Sequence, residues 1–170
     1  TNCPVRSVGV SAAVAAGTAV TSTPTSFLFR AEPFGVQMSA AAYGAECRQI
    51  TSPSNFSWTD SKPAVCTLTS ASGDTVACFN TAPAAAEDTT NVRASAEGKN
   101  SGPIAITFDS TRCASSAQCA TNKFGEACTG SICDSGRCTP IVNAIEPNAG
   151  PIGEWTTTKG CWFGPYNATK

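Results

Sequence analysis

The apolar positions along this chain recur in short steps, not in helical turns. Phe56 and Trp58 alternate with Ser57 and Thr59, the two-residue period of a strand with one buried face. Ser26 to Arg30 (SFLFR) and Gly35 to Met38 are apolar patches rich in residues that favour strands. Ala64 to Ser70 (AVCTLTS) and Asp74 to Phe79 (DTVACF) flank Ser-Ala-Ser-Gly and predict a hairpin. The segments TTNVRASA (89–96) and GPIAITF (102–108) follow, joined by the polar turn EGKNS. About seven strands, with turn signals roughly every 8–12 residues, predict an all-β, immunoglobulin-like β-sandwich over residues 1–108. Helical periodicity is nearly absent, and Pro83 makes Ala82 to Asp88 (APAAAED) a predicted loop.

The texture changes after Phe108. Residues 109–138 hold almost no apolar side chain beyond Phe124 and Ile132, so this stretch has no hydrophobic core of its own. Five cysteines fall within its last 26 residues, Cys113 to Cys138, and a disulfide-rich, loop-dominated segment is expected. Residues 139–170 return to strand-like patterning. PIVNAI, a turn at Pro147 to Pro151 and the alternating run EWTTTKGCWFG predict the opening strands of a second β module.

Charge excludes some functions. Charged residues make up 14% of the 170 residues, the net charge is −1, and no basic stripe marks a nucleic-acid surface. No apolar run approaches the roughly 20 residues that span a bilayer. The small-residue run Val10 to Val20 is too short, and Gly17 interrupts it. The opening TNCPVRSVGV lacks a basic signal region and reads as a mature, processed chain or an excised fragment. Ten cysteines, an even number, point to an oxidising compartment, extracellular or at a cell surface. Two N-x-[ST] acceptors, Asn55 and Asn167, are candidate glycosylation sites in that setting. The run Gly17 to Ser26 (GTAVTSTPTS) reads as an O-glycosylation candidate or a loop leading into a strand.

The cysteine spacing bears on chemistry. From Cys113 the pattern is Cys-x5-Cys-x8-Cys-x4-Cys-x4-Cys, with no Cys-x2-Cys pair of the kind that grips zinc or carries redox and haem motifs. Disulfides are expected, with a structural metal as the lesser alternative; no cofactor is expected. Five cysteines cannot pair among themselves, so Cys113, Cys119, Cys128, Cys133 and Cys138 need a sixth, and Cys161 supplies it. Cys66 and Cys78 lie six residues either side of Ser72, which a hairpin would bring face to face; the alternative is two free, buried thiols. Cys3 and Cys47 then pair by elimination. The chain contains no histidine, which removes Ser-His-Asp and Cys-His nucleophile arrangements, and Glu87-Asp88 sits in a solvated loop. No enzyme is expected.

Residues FSWTDSKPAVCTLTSASGDTVACF and TTNVRASAEGKNSGPIAITF resemble the group 2 bacterial immunoglobulin-like domain, with Trp58, Pro63, Ala64 and Val65 on the matching positions. The resemblance covers about Val5 to Phe108, its first half more faintly. Cys66, Cys78 and the insertion NTAPAAAED depart from it. From Pro140 the chain resembles the start of an IPT/TIG domain, another immunoglobulin-like module, at Pro147, Gly150, Pro151, Gly153, Gly160, Phe163 and Gly164. The segment between is similar to Cys-x5-Cys repeats of secreted bacterial surface proteins. These resemblances imply modular extracellular architecture and structural, adhesive or spacer roles.

The expected function is therefore that of a non-catalytic subunit or spacer of a bacterial cell-surface appendage or filament. Partners would be further copies or neighbouring surface-protein domains. The alternative is an adhesin or carbohydrate-binding module whose C-terminal aromatics stack on a glycan. Ile141, Ile145, Ile152, Trp155, Trp162, Phe163 and Tyr166 are too apolar for a free tail, so they are candidate interface residues for strand addition between subunits, the alternatives being the core of the second β module, further sequence downstream, or docking onto the first domain.

Overall fold

The computed structural model describes residues 4–50, 55–80, 87–113, 115–122, 125–146 and 157–162. The chain divides into two compact units, Thr1–Asp109 and Ser110–Lys170. The cysteine segment and the terminal strands, distinct in sequence texture, thus share one unit.

In the first unit ten strands form two sheets. They are β1 Ser7–Ala16, β2 Ala19–Thr23, β3 Ser26–Phe29, β4 Phe34–Tyr43, β5 Ser57–Asp60, β6 Thr67–Leu68, β7 Thr75–Asn80, β8 Asp88–Ala96, β9 Lys99–Asn100 and β10 Ile104–Phe108. One sheet has the order β1-β4-β7-β6; the other runs β2-β3-β10-β8-β5, with β9 paired to β8. Read as A-B-E-D and C-F-G, with β5, β8 and β10 as C, F and G, this is the strand order of an immunoglobulin-like sandwich. Every described pairing in the unit is antiparallel except β3 with β10.

Period-2 burial builds the core. In β10, Ile104, Ile106 and Phe108 point inward; in β8, Thr90, Val92, Ala94 and Ala96 do. From the other sheet, Val36 and Met38 of β4 and Val76 and Cys78 of β7 join the same buried cluster. Phe34 stacks between Phe29 and Phe108, with ring centroids 4.8 and 5.5 Å away. Thr90, the one polar member of its row, is satisfied by accepting the Lys62 backbone N–H at 3.0 Å. The β8–β9 connection is two residues, Glu97 and Gly98, both at positive φ, which is the type I′ geometry that matches strand twist.

The run Val10 to Val20, too short to span a bilayer, belongs largely to β1, which pairs with β4. Two sequence expectations change. The Ser/Thr/Pro run 17–26 is a strand and a turn, because β2 and β3 close a hairpin across Pro24-Thr25 with Thr23 opposite Ser26. β6 and β7 form the expected hairpin, but its connection at 69–74 is longer than Ser-Ala-Ser-Gly. Ser70 Oγ accepts the Ser72 N–H, and Trp58 N–H and Gly73 N–H bond across to Ala71 and Phe56 carbonyls, so this loop lies beside β5. That diversion cuts the predicted strand 64–70 to Thr67–Leu68.

Electrostatics are sparse. Lys62 pairs with Asp88 on the exterior, and its ammonium, with the Thr89 N–H, holds the Asp88 carboxyl below the ordinary range. Burial pushes the Asp60 carboxyl at the end of β5 up. A depressed carboxyl stabilises the fold above its unfolded pKa and loses that contribution as pH falls through the folded value. Carbon-detected NMR titration should therefore find Asp88 the more acidic of the two, and Lys62→Ala should return it toward the ordinary value. An unchanged Asp88 midpoint in that variant would show that the ion pair does not form in solution.

Candidate functional site

The second unit is built on cysteine. Residues 111–113 run beside 136–138: Cys113 N–H donates to the Gly136 carbonyl and Cys138 N–H to that of Thr111. Strands β11 Cys133–Asp134 and β12 Arg137–Cys138 form a two-residue hairpin, with Ser135 and Gly136 both at positive φ. A single helical turn, Ser116–Cys119, packs beside it, and Ser116 Oγ accepts the Cys133 N–H at 3.1 Å. A loop closes where Asn122 Oδ1 accepts the Glu126 N–H and Cys128 N–H reaches the Ala120 carbonyl.

The hairpin sets Cys133 directly across from Cys138, yet they do not bond each other. Cys133 pairs with Cys113 and Cys138 with Cys119, so both strands are tied to the segment before them. Cys113, Cys119 and Cys138 are buried and, with Cys133 and Trp162 packed against them, form the unit's hydrophobic cluster. Cystine here does what aliphatic side chains do in the sandwich. The sulfurs of Cys113, Cys119 and Cys138 lie within 4.8 Å of one another, close enough for a shared metal ion. Each is bound to another sulfur, however, and a cystine sulfur offers no thiolate to a metal.

The sixth cysteine is Cys161. It bonds Cys128 across 33 residues of sequence and carries with it strands β13 Ile141–Glu146 and β14 Thr157–Cys161, which pair antiparallel. The expected interface strands are thus each other's ladder partners. Ile141 is half-buried, and Trp162 turns its ring against the cystine cluster while its indole N–H donates to the Cys119 carbonyl at 3.2 Å. Trp162 is thus half-buried, with part of its ring against the cystine cluster. The side chain of Ile145, and Ile152, Trp155, Phe163, Tyr166 and the acceptor Asn167, lie outside the described residues, as do Cys3 and the Cys47 side chain. Asn55 is exposed just before β5.

In the first unit Cys66 bonds Cys78, with a Cα separation of 5.4 Å. The register places Leu68 opposite Cys78, so the bridge runs diagonally, two residues from the face-to-face arrangement expected. It joins neighbouring strands of one sheet and belongs to the same buried cluster as Trp58. Four bridges account for eight of the ten cysteines. Thiol titration of the denatured, unreduced chain should find at most two thiols, and none if Cys3 and Cys47 also pair; four or more would contradict the pairing.

One surface escaped the sequence analysis. Strand β1 is the edge of its sheet, ten residues long, and between Arg6 and Arg30 the chain carries no charge. That charge gap was visible in the sequence, but only the sheet order shows that it falls on an edge. Among the described residues no helix is long and apolar enough to cross a membrane. No family model, no curated protein and no solved structure matches this chain.

Proposed function

We propose that the chain is a non-catalytic structural unit of an extracellular surface assembly, a subunit or spacer of a cell-surface appendage or filament. The observation that supports this most is the substitution of cystine for hydrophobic core in the second unit, where three bridges fall between Cys113 and Cys161. A fold held in this way keeps its form only in an oxidising compartment, which the four bridges fit. The immunoglobulin-like strand order agrees with it. So does the resemblance of residues 56–108 to group 2 bacterial immunoglobulin-like domains, a family of spacers and adhesive modules. The resemblance of the residues after Pro140 to an IPT/TIG opening points the same way. With no histidine and eight cysteines committed to bridges, the chain lacks the usual activated nucleophiles. The adhesin reading draws on the C-terminal aromatics, and the one described, Trp162, is half-buried against the cystine cluster.

Immunogold electron microscopy on intact cells of the source, with antibody raised against residues 1–108, tests the proposal. Label along surface structures, lost when the gene is deleted together with those structures, is the expected result. Label that requires permeabilised cells would overturn it.

A further inference from the structure

Edge strands present unpaired backbone groups, and stable proteins blunt them by keeping them short or charged. The described edges of the sandwich follow that rule, with one exception. β6 and β9 are two residues long, and β9 carries Lys99. β5 is four residues and ends on Asp60. β2 is five residues of Ala, Val, Thr and Ser. β1 runs ten residues, SVGVSAAVAA, with neither charge nor proline, and among the described residues its only ladder partner is β4. Val8 alone among the ten is fully buried; Ser11 and Ala13 to Ala15 are exposed, and Val14 stands 38% exposed.

The order of side chains along this edge indicates what covers it. From Val8 to Val14 the sequence is Val-Gly-Val-Ser-Ala-Ala-Val, nearly palindromic in size about Ser11. An isologous contact requires a patch complementary to itself. Antiparallel pairing about an axis through Ser11 sets Val8 against Val14 of the second copy, Gly9 against Ala13, Val10 against Ala12, and Ser11 against Ser11. Because the paired positions share parity, the core-facing row of one strand continues the core-facing row of the other. The nearest charge, Arg6, then falls opposite uncharged Ala16, and the two Arg6 side chains sit at opposite ends of the seam, so no like charges meet. The ladder with β4 is regular from Ser7 to Val14 and shifts register only beyond it, so the palindromic stretch carries no bulge.

We infer that β1 is a homodimer seam, in which two copies of this chain join their four-stranded sheets edge to edge through antiparallel β1 strands centred on Ser11. The inference rests on the reading above of a self-associating subunit, and it names the contact.

Two measurements on the full chain test it. Sedimentation equilibrium should show a dimer, and Val14→Lys, which puts a charge on the inward row at the open edge, should raise the dimer dissociation constant at least about tenfold. Its thermal unfolding at low concentration checks that the variant folds. Ser11→Cys should cross-link to a covalent dimer under mild oxidation, because directly opposed residues have Cα atoms about 4.5–5.5 Å apart, within disulfide range. Ala13→Cys should not, because position 13 of one copy lies opposite position 9 of the other, and the two introduced thiols stand too far apart along the seam. A chain monomeric at every concentration, a dimer indifferent to Val14→Lys, or equal cross-linking at both positions overturns the seam. A monomer that still labels surface structures rejects the seam alone; a β1 dimer never found on the cell surface rejects the proposed function alone.

Discussion

Replacing Trp58 by alanine should cost the first unit about 3–5 kcal/mol, the range for deleting a large aromatic from a packed core. Trp58 lies within β5, only 3% exposed, in the cluster that includes Val65, Val92, Ile106 and the Cys66–Cys78 bridge. Its indole N–H also donates to the Gly73 carbonyl at 2.7 Å, which fastens the loop between β6 and β7 onto the opposite sheet. The alanine variant loses both contributions and leaves a cavity. Trp58→Phe separates them: most of the apolar area stays, and the Gly73 carbonyl loses its donor, for an expected cost of about 1–3 kcal/mol. Hydrogen exchange of the β8 and β10 amides reads both losses without using tryptophan as reporter. A loss below about 1 kcal/mol in Trp58→Ala would mean that the indole is not the keystone its burial implies.

Trp58 also illustrates what the sequence carries. It alternates with polar residues over a short window, and local alternation reports one buried face wherever the strand ends up. The pattern of strand-favouring patches located β3, β7, β8 and β10 close to their observed bounds, and only the first half of β4. It failed for β1 and β2, where alanine, serine, threonine and glycine give no contrast between faces; those strands exist because β4 and β3 offer ladders to them. It found the β6–β7 hairpin but not the length of its loop at 69–74, where Ser70 and the β5 backbone take groups that a tight turn would have used. Cysteine arithmetic assigned Cys161 to the knot because an odd set demands an outside partner. It could not choose among the pairings within the knot, since spacing does not reveal that Cys133 and Cys138 face each other and still bond elsewhere. The β1 edge needed two kinds of information at once: an uncharged run, which is sequence, and an edge position, which is topology.

Removing the Cys128–Cys161 bridge should release the second unit's terminal strands. β13 and β14 are a two-stranded pair, and such a pair is marginal in water without further packing. Val142 is 55% exposed, so it adds little apolar burial to their ladder. Side-chain ties to the rest of the unit include Asn143 Nδ2 to the Ala127 carbonyl at 3.5 Å and Trp162 to the Cys119 carbonyl. The bridge closes the largest loop of the four, 33 residues apart in sequence, and a bridge of that span is worth about 2–4 kcal/mol through restriction of the unfolded chain. That is a large contribution to a pair of strands that is marginal by itself. In the double variant Cys128→Ser, Cys161→Ser, which leaves no orphan thiol, the Ala144 and Lys159 amides should exchange at near-random-coil rates. Cys113–Cys133 and Cys119–Cys138 remain, so the hairpin around Ser135-Gly136 should keep its protection, and the sandwich amides should not change. Retained protection at β13 and β14 would show that Trp162 and its packing on the cystine cluster suffice, and that the bridge only reinforces a contact formed without it.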